Sequence, residues 1–287
     1  MKVLITGGGQ LAWELARTVP ASIELVPAPR DVLDITDAMN CNKVFQEHQP
    51  NWVINTAAYT AVDRAEQEKD KAFSVNERGA ANIAQASKRF GARLIHISTD
   101  FVFGGNSDTP YLPDAPVSPI SVYGRSKLAG EQAVAQALTD SVIVRTSWLY
   151  SSGGNNFVKT MLGLMAEKPE LSVVADQMGS PTWARGLAQT LWHGVTSDVP
   201  GGIYHWSDEG GVSWYEFARA IQELALELGL LANVIPIHPI PTDSYPTPAA
   251  RPAYSVLDTH RTQKVFDVSA QYWRTQLEDM LRELQPS

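Results

Sequence analysis

Within its first dozen residues the chain passes from a strand-forming run, Lys2 to Ile5, into Gly7-Gly8-Gly9 and straight on into a helix-forming run from Gln10. A strand that restarts as a helix after consecutive glycines must turn tightly, which leaves backbone N–H groups at a positive helix N-terminus. Gly7, Gly9 and Ala12 fit the G-x-G-x-x-A spacing of a dinucleotide-binding turn, in which absent side chains let a pyrophosphate approach the backbone. Gly7, Gly9, Gln10 and Leu11 are therefore the first candidate cofactor contacts. Any tight strand-to-helix turn also favours glycine, so the rest of the chain must supply the sheet that such a turn serves.

Apolar runs alternate with helical patterns through the first half, which argues for a parallel sheet with crossover helices. Further strands are predicted at Ile23 to Val26, Trp52 to Asn55, Arg93 to Ser98 and Val142 to Thr146. Helices are predicted from Gln10 to Thr18, from the capping side chains of Asp34-Ile35-Thr36-Asp37 through about Gln49, from Asp70 to Phe90 with Gly91 as the stop, and near Trp214 to Leu228. The expected fold class is α/β, a Rossmann-type doubly wound parallel sheet with a smaller C-terminal substrate lobe. Residues 1–150 form the nucleotide-binding domain, and residues 151–287 predominantly the substrate lobe, with some segments returning to the first domain. Prolines 236, 239, 241, 246, 248 and 252 exclude a central strand or helix there. Ile235, Ile237, Ile240 and Tyr245 lie among them, so the stretch reads as an ordered extended segment around a pocket rather than a flexible linker.

The net charge of −8 disfavours partners such as nucleic acid or an anionic membrane. It leaves room for a local basic pocket that takes an anionic small molecule. No apolar run approaches the ~20 residues that cross a bilayer, and the chain opens on Met1-Lys2 without a charged-then-apolar leader. The single cysteine, Cys41, excludes an intramolecular disulfide and reads as a partly buried small side chain in a reducing compartment. A cytoplasmic protein is expected. No metal-ligand spacing is evident, and no metal is assigned.

After the second predicted strand an NAD site would place a carboxylate for the ribose 2′-hydroxyl. This chain reads Val26-Pro27-Ala28-Pro29-Arg30 instead. An arginine there suits the 2′-phosphate of NADPH, with NADH kept as the alternative, and a solvated surface arginine is the plainer reading. Asp34 and Ile35 would lie beside the adenine, although Asp34 could serve only as a cap. Ala57, Ala58 and Tyr59 follow the third strand, where small residues leave room for the cofactor at the carboxyl edge of the sheet.

The strongest constellation is Ser98-Thr99-Asp100 after a strand, with Tyr123 and Lys127 about two dozen residues on. A spacing of four puts Tyr123 and Lys127 on one helical face. A free phenol titrates near pH 10, and a neighbouring ammonium draws it toward a useful range. A threonine at a strand terminus can hydrogen-bond a carbonyl oxygen that gains charge as hydride arrives. Thr99, Tyr123 and Lys127 are the catalytic candidates, with Tyr123 and Lys127 also touching the cofactor.

With these motifs the chain resembles the extended short-chain dehydrogenase/reductases and, within them, the dTDP-4-dehydrorhamnose reductase family. The resemblance rests on Asn55-Thr56-Ala57-Ala58-Tyr59, Ser98-Thr99-Asp100-Phe101-Val102-Phe103, Tyr123-Gly124-Arg125-Ser126-Lys127, Arg145-Thr146-Ser147-Trp148, Gly154-Asn155-Asn156-Phe157, Asp176-Gln177-Met178-Gly179 and Tyr245-Pro246-Thr247-Pro248-Ala249-Ala250-Arg251. It implies NADPH-dependent reduction of the C4 keto group of a nucleotide-activated deoxysugar and allows for a homodimer. By matching position, Tyr123 would donate the proton, Lys127 would hold the nicotinamide ribose, and Thr99 would polarise the carbonyl. Thr99, Asp100, Tyr123 and Trp148 would touch the substrate. Asn156 and Gln177 are candidates for the sugar or base, and Arg251 for the diphosphate, whose oxygens its fork matches. Two departures stand out: the glycine turn is one residue short and ends on Ala12, and the acid after the second strand is missing. A nucleotide-sugar epimerase or dehydratase, and a noncatalytic NADP-binding regulatory subunit, are the alternatives.

Overall fold

The computed structural model describes residues 1–285, and residues 286–287 of the expected C-terminal lobe lie outside the described residues. β1 (Lys2–Thr6) is buried from Val3 onward and turns into α1 (Gln10–Arg17). β2 (Glu24–Ala28) runs two residues past the predicted Val26, because Pro27 and Ala28 continue its register beside Ile5 and Thr6. α2 (Ala38–His48) begins where the Asp37 carboxylate accepts from the N–H groups of Met39 and Asn40, and β3 (Trp52–Asn55) follows as predicted.

The long helix predicted from Asp70 to Phe90 is divided. After α3 (Val62–Ala65), α4 (Lys69–Phe73) opens into a π-helical turn over Ser74–Gly79 before α5 (Ala80–Phe90) resumes. Such wide turns aim side chains that a regular helix could not. Asn76 inside it accepts from the Tyr59 N–H (2.8 Å) and donates to the Tyr59 carbonyl (3.0 Å) and to Ser126 Oγ (2.9 Å). A hydrophobic pattern does not register those polar contacts. Gly91 then stops α5 in the left-handed region, at φ +71°.

β4 (Arg93–Thr99), α6 (Val122–Ala137) and β5 (Val142–Thr146) complete the first half. The remainder comprises β6 (Leu149–Tyr150), α7 (Phe157–Glu167), β7 (Leu171–Val174), β8 (Met178–Gly179), β9 (Thr182–Trp183) and α8 (Ala184–Thr196), then β10 (Gly202–His205), β11 (Val212–Ser213), α9 (Trp214–Glu227), β12 (Ile237–Ile240), α10 (His260–Phe266) and α11 (Trp273–Arg282).

The central sheet is parallel throughout, in the order β2-β1-β3-β4-β5-β10. Strand order reverses between β1 and β3, so the crevice beyond their carboxyl ends is where such a sheet takes a ligand. Leu11 and Leu15 of α1, Leu187 and Leu191 of α8 and Phe266 of α10 cover one face. Phe45 of α2, Ile83 of α5 and Val134 of α6 cover the other. Thus α8, β10 and α10 return to the first domain from beyond residue 150.

A separate core gathers Val158, Met161, Phe217, Ile221, Leu277 and Leu281 from α7, α9 and α11. The proline-rich stretch holds one short edge strand, β12, whose Pro239 sits opposite Val173 of β7. The capping box at Ser213 and Glu216 starts α9, one residue short of its predicted end. Cys41 is fully buried rather than partly so.

Candidate active site

A cleft of about 780 Å³ opens at the carboxyl edge of the sheet. Gly8, Gly9, Gln10 and Leu11 form its floor at one end; Thr99, Asp100, Tyr123 and Lys127 lie at its centre; Trp148, Trp214 and Arg251 line the far wall. Two halves of the sequence therefore meet in one cavity.

At the nucleotide end Gly7 has φ +83°, and a Cβ there would stand 3.1 Å from the Ala57 backbone. That position requires glycine for both reasons. Gly9 precedes α1 with no side-chain cap, so the first N–H groups of α1 remain for an anionic group. The shortened turn thus keeps the strand-glycine-helix geometry, and the chain fits a dinucleotide pyrophosphate. Ala58 lines the cleft; Ala57 donates its N–H to Thr6 Oγ1 (3.3 Å). Tyr59 bonds outward, its hydroxyl donating to Glu68 (2.9 Å).

Arg30 is exposed beyond β2. Asp34 accepts from the N–H (2.9 Å) and hydroxyl (2.7 Å) of Thr36, which hold its carboxyl below the usual range. Ile35 is buried in the core under Gly79. Neither Asp34 nor Ile35 lines the cleft.

Thr99 ends β4 at the register position opposite Thr146. Its hydroxyl donates to Asp100 Oδ1 at 2.9 Å. Burial pushes Asp100 up to about 6, against that hydrogen bond. α6 starts where Ser121 Oγ accepts from the Gly124 N–H (3.1 Å), and a Cβ on Gly124 would overlap the Phe101 carbonyl at 2.2 Å. This close approach seats Tyr123 beside β4. Phe101 meets the Tyr123 ring edge-on, centroids 5.6 Å apart.

Sequence reasoning expects Lys127 to draw the Tyr123 phenol down. Burial dominates instead and pushes the phenol up to about 12. Lys127 is itself lowered to about 8 by burial and donates to the Ile97 carbonyl at 2.6 Å. Tyr123 is thereby held protonated, as a proton donor must be.

On the far wall, Trp148 stacks face to face on Trp214, with centroids 3.4 Å apart and planes at 7°. Trp214 was not singled out from the sequence, since a tryptophan at the start of an amphipathic helix reads as core. Arg251 makes a bidentate pair with Asp63 (2.8 and 3.0 Å) beside the cleft. Asn156 caps α7 and donates to Gln10 Oε1 (2.8 Å) and the Ser151 carbonyl (2.6 Å), so it fastens a loop over the nucleotide end. Gln177 donates to Thr242 (3.0 Å) and does not line the cleft. Trp13 and Gly153, which also line the cleft, were not singled out from the sequence.

Comparison with known proteins places this geometry. The family profile described as "RmlD substrate binding domain" matches residues 1–286. The chain is 43% identical to the spore coat polysaccharide biosynthesis protein SpsK of Bacillus subtilis, covering 98% of this chain and 97% of that one. It is 40% identical to the dTDP-4-dehydrorhamnose reductase of Burkholderia thailandensis, covering 96% of each. The structure of the dTDP-4-dehydrorhamnose reductase of Bacillus anthracis in complex with NADP superposes with a TM-score of 0.91 at 39% identity, over 98% of this chain and 99% of that one. With its profile, its relatives and its fold in agreement, the chain belongs to the dTDP-4-dehydrorhamnose reductase family.

Proposed function

We propose that this protein is an NADPH-dependent reductase that converts the C4 keto group of dTDP-4-dehydro-6-deoxy-L-mannose to the alcohol of dTDP-L-rhamnose. The observation that carries the reading is the convergence of Thr99, Tyr123 and Lys127 at the carboxyl end of β4, inside the cleft that the glycine turn opens. In this reading residues 1–150 bind NADPH and residues 151–287 predominantly bind the sugar nucleotide. Bound NADPH supplies the hydride.

The protein's own residues then have separable tasks. Gly7, Gly9, Gln10 and Leu11 cradle the pyrophosphate, Arg30 meets the 2′-phosphate, and Ala57 and Ala58 leave space between. Asp34, Ile35 and Tyr59 act from behind that path, as a turn, a packed wall and a loop anchor. Tyr123 gives its phenolic proton to the carbonyl oxygen, and the Lys127 ammonium stabilises the phenolate left behind. Thr99 turns its hydroxyl from Asp100 to the same oxygen, where charge develops. Trp148 offers a flat apolar wall to the deoxysugar ring, and Arg251 a planar fork for the diphosphate. Asn156 and Gln177 hold the loops around the sugar and base.

Among the described residues no helix is long and apolar enough to cross a membrane; a cytoplasmic setting and assembly as a homodimer belong to the same proposal. The test is NADPH oxidation, followed by absorbance, with the keto sugar nucleotide generated in situ. Turnover by the wild type that Tyr123→Phe abolishes, with NADPH binding intact, supports the proposal. A folded protein that binds NADPH without turnover favours the regulatory-subunit alternative.

A further inference from the structure

Side chains of β4 alternate between the two faces of the sheet. Ile95 packs in the core shared with α1 and α8, with Ile97 against it, whereas Leu94 packs under α2, α5 and α6. His96 and Ser98 share the face of Leu94 by the same period, and α6 brings Lys127 to that face. His96, Ser98 and Lys127 are each at most 3% exposed. Among the described residues, His96 Nε2 and Ser98 Oγ have no hydrogen-bond partner, and the Lys127 ammonium, with three protons to give, bonds the Ile97 carbonyl.

The proton on His96 can be located by following a chain of donors. The Ala57 N–H donates to Thr6 Oγ1 (3.3 Å), so the Thr6 hydroxyl gives its hydrogen to Asn55 Oδ1 (2.6 Å). Asn55 then presents Nδ2 to His96 Nδ1 (3.0 Å), which must accept. Burial and the nearby Lys127 charge hold the imidazole neutral. Its one proton therefore sits on Nε2, the nitrogen that lacks a partner. The Thr6 hydroxyl and the Asn55 amide thus set the tautomer of a histidine on the neighbouring strand.

We propose that His96 is a positioning residue for the reaction: its Nε2–H and the Ser98 hydroxyl hold one water against Lys127, at the edge of the cleft that Ser98 and Lys127 line. The water accepts from His96 Nε2 and from Lys127 Nζ and donates to Ser98 Oγ, three partners that suit an ordered water. It keeps the ammonium charged beneath Tyr123, one helical turn earlier. This deepens the reductase reading and rests on it. Glu131 of α6 and His96 of β4 are the titratable groups that act on Lys127; Tyr123 lies one turn before it on α6, Asp100 follows the end of β4, and Arg145 of β5 pairs with Glu131 (2.7 and 2.9 Å). No charged side chain of α3, α4, α5 or the π-turn is buried among the described residues.

Loss of the water removes an acceptor from the ammonium and lowers the Lys127 pKa further. In the reductive direction the alkaline fall of kcat then moves to lower pH. His96→Met keeps bulk without a donor, and His96→Gln restores an N–H of similar reach. His96→Met is expected to lower kcat by ~10-fold and shift the alkaline limb down by about one unit, with both KM values within ~2-fold, while His96→Gln recovers most of the rate. Should His96→Met fail to fold, Ser98→Ala is expected to move the limb in the same direction. Equal losses in the Met and Gln variants, or an unmoved pH profile, would overturn the proposal.

A second readout needs neither cofactor nor turnover. Nitrogen NMR of the histidines in the cofactor-free protein should show His96 neutral and protonated at Nε2. A proton on Nδ1, or a charged ring near pH 6, would sink the idea. If the wild type does not turn over, the reductase reading fails on its own, and the tautomer still decides this inference.

Discussion

Trp148 lies on the face of Trp214 with 3.4 Å between centroids, and it does so from a left-handed backbone conformation, φ +42°. A bulky residue with positive φ is strained, and such strain persists where the surroundings over-determine it. Gly179 is part of that determination, because a Cβ there would come within 2.4 Å of the Trp148 ring. The wall proposed for the sugar is therefore a built surface. Trp148→Ala and Trp214→Ala should each raise KM for the sugar nucleotide by ~10-fold or more, since each removes one half of a stacked pair worth roughly 1 kcal/mol beyond burial. KM for NADPH should stay within error in steady-state assays. An equal rise in both constants would show the pair to be general packing.

Cofactor choice gives a second expectation. Arg30 lies exposed just past β2, whose last residues, Pro27 and Ala28, carry no carboxylate. Arg30→Ala should weaken NADPH binding by ~10-fold and leave NADH unchanged, the effect of removing one charge-assisted bond to a phosphate. Fluorescence titration with both nicotinamides measures it. Matching losses for the two would refute a 2′-phosphate contact.

The halves of the molecule differ in how much of them the sequence showed. β1, β3, β4 and β5 and the glycine turn were legible because buried parallel strands read as apolar runs and a positive-φ turn as glycine. The tyrosine-lysine pair was legible because four residues make one helical turn. The π-turn at Ser74–Gly79 was hidden, since its cause is the polar side chain of Asn76 meeting Tyr59 and Ser126, far away in the chain. Trp214 was hidden for a related reason: only the fold brings the start of α9 against Trp148. Asp34 and Ile35 were expected beside the adenine, with Asp34 also readable as a cap; the Asp34 carboxylate bonds Thr36 and Ile35 packs into the core, contacts that a linear pattern does not register.

Asp100 makes stability fall as pH rises. Its folded value is about 6 against 3.8 unperturbed, because burial penalises the charged carboxylate. Below pH 4 the group is protonated in both states and contributes nothing. Between 4 and 6 the unfolded chain gives up the proton first, so stability declines, and above 6 the full penalty stands. The shift corresponds to about 3 kcal/mol at most. Asp100→Asn should accordingly stabilise the protein at pH 7.5 and not at pH 4, measured by urea unfolding at both. A variant equally stabilised at both values would contradict the linkage.

Glu14 of α1 is completely buried and anchors a network that runs through Arg185 of α8 to Glu283, just past α11 of the second lobe. It accepts from Ser151 (2.7 Å) and Arg185 (3.2 Å), and Arg185 also pairs with Glu283, which bonds Ser152. Removing one member of a buried pair leaves its partner's charge uncompensated, and Glu14→Ala should cost about 3–5 kcal/mol. A drop in Tm of under ~2 °C would show the network to be solvated in solution.

Arg251 meets Asp63 through two parallel bonds, and its Nη1 also reaches the Ala249 carbonyl at 3.0 Å. That pairing holds the Asp63 carboxyl below the usual range, so Asp63 stays charged well into acid and keeps the guanidinium at the cleft. Asp63 is largely solvated, so the pair adds little stability; its effect is orientation. A diphosphate carries more charge than one carboxylate and offers the same bidentate geometry, so it can share the fork. Arg251→Ala should therefore raise KM for the sugar nucleotide by ~30-fold or more, and Arg251→Lys should recover only part, because a point charge lacks the fork. Asp63→Asn should have a smaller effect, within ~5-fold, since it loosens the arginine without removing it. The contrast separates the roles. If Asp63→Asn were as damaging as Arg251→Ala, the pair would be a structural clasp, and the diphosphate would have to be held elsewhere in the cleft.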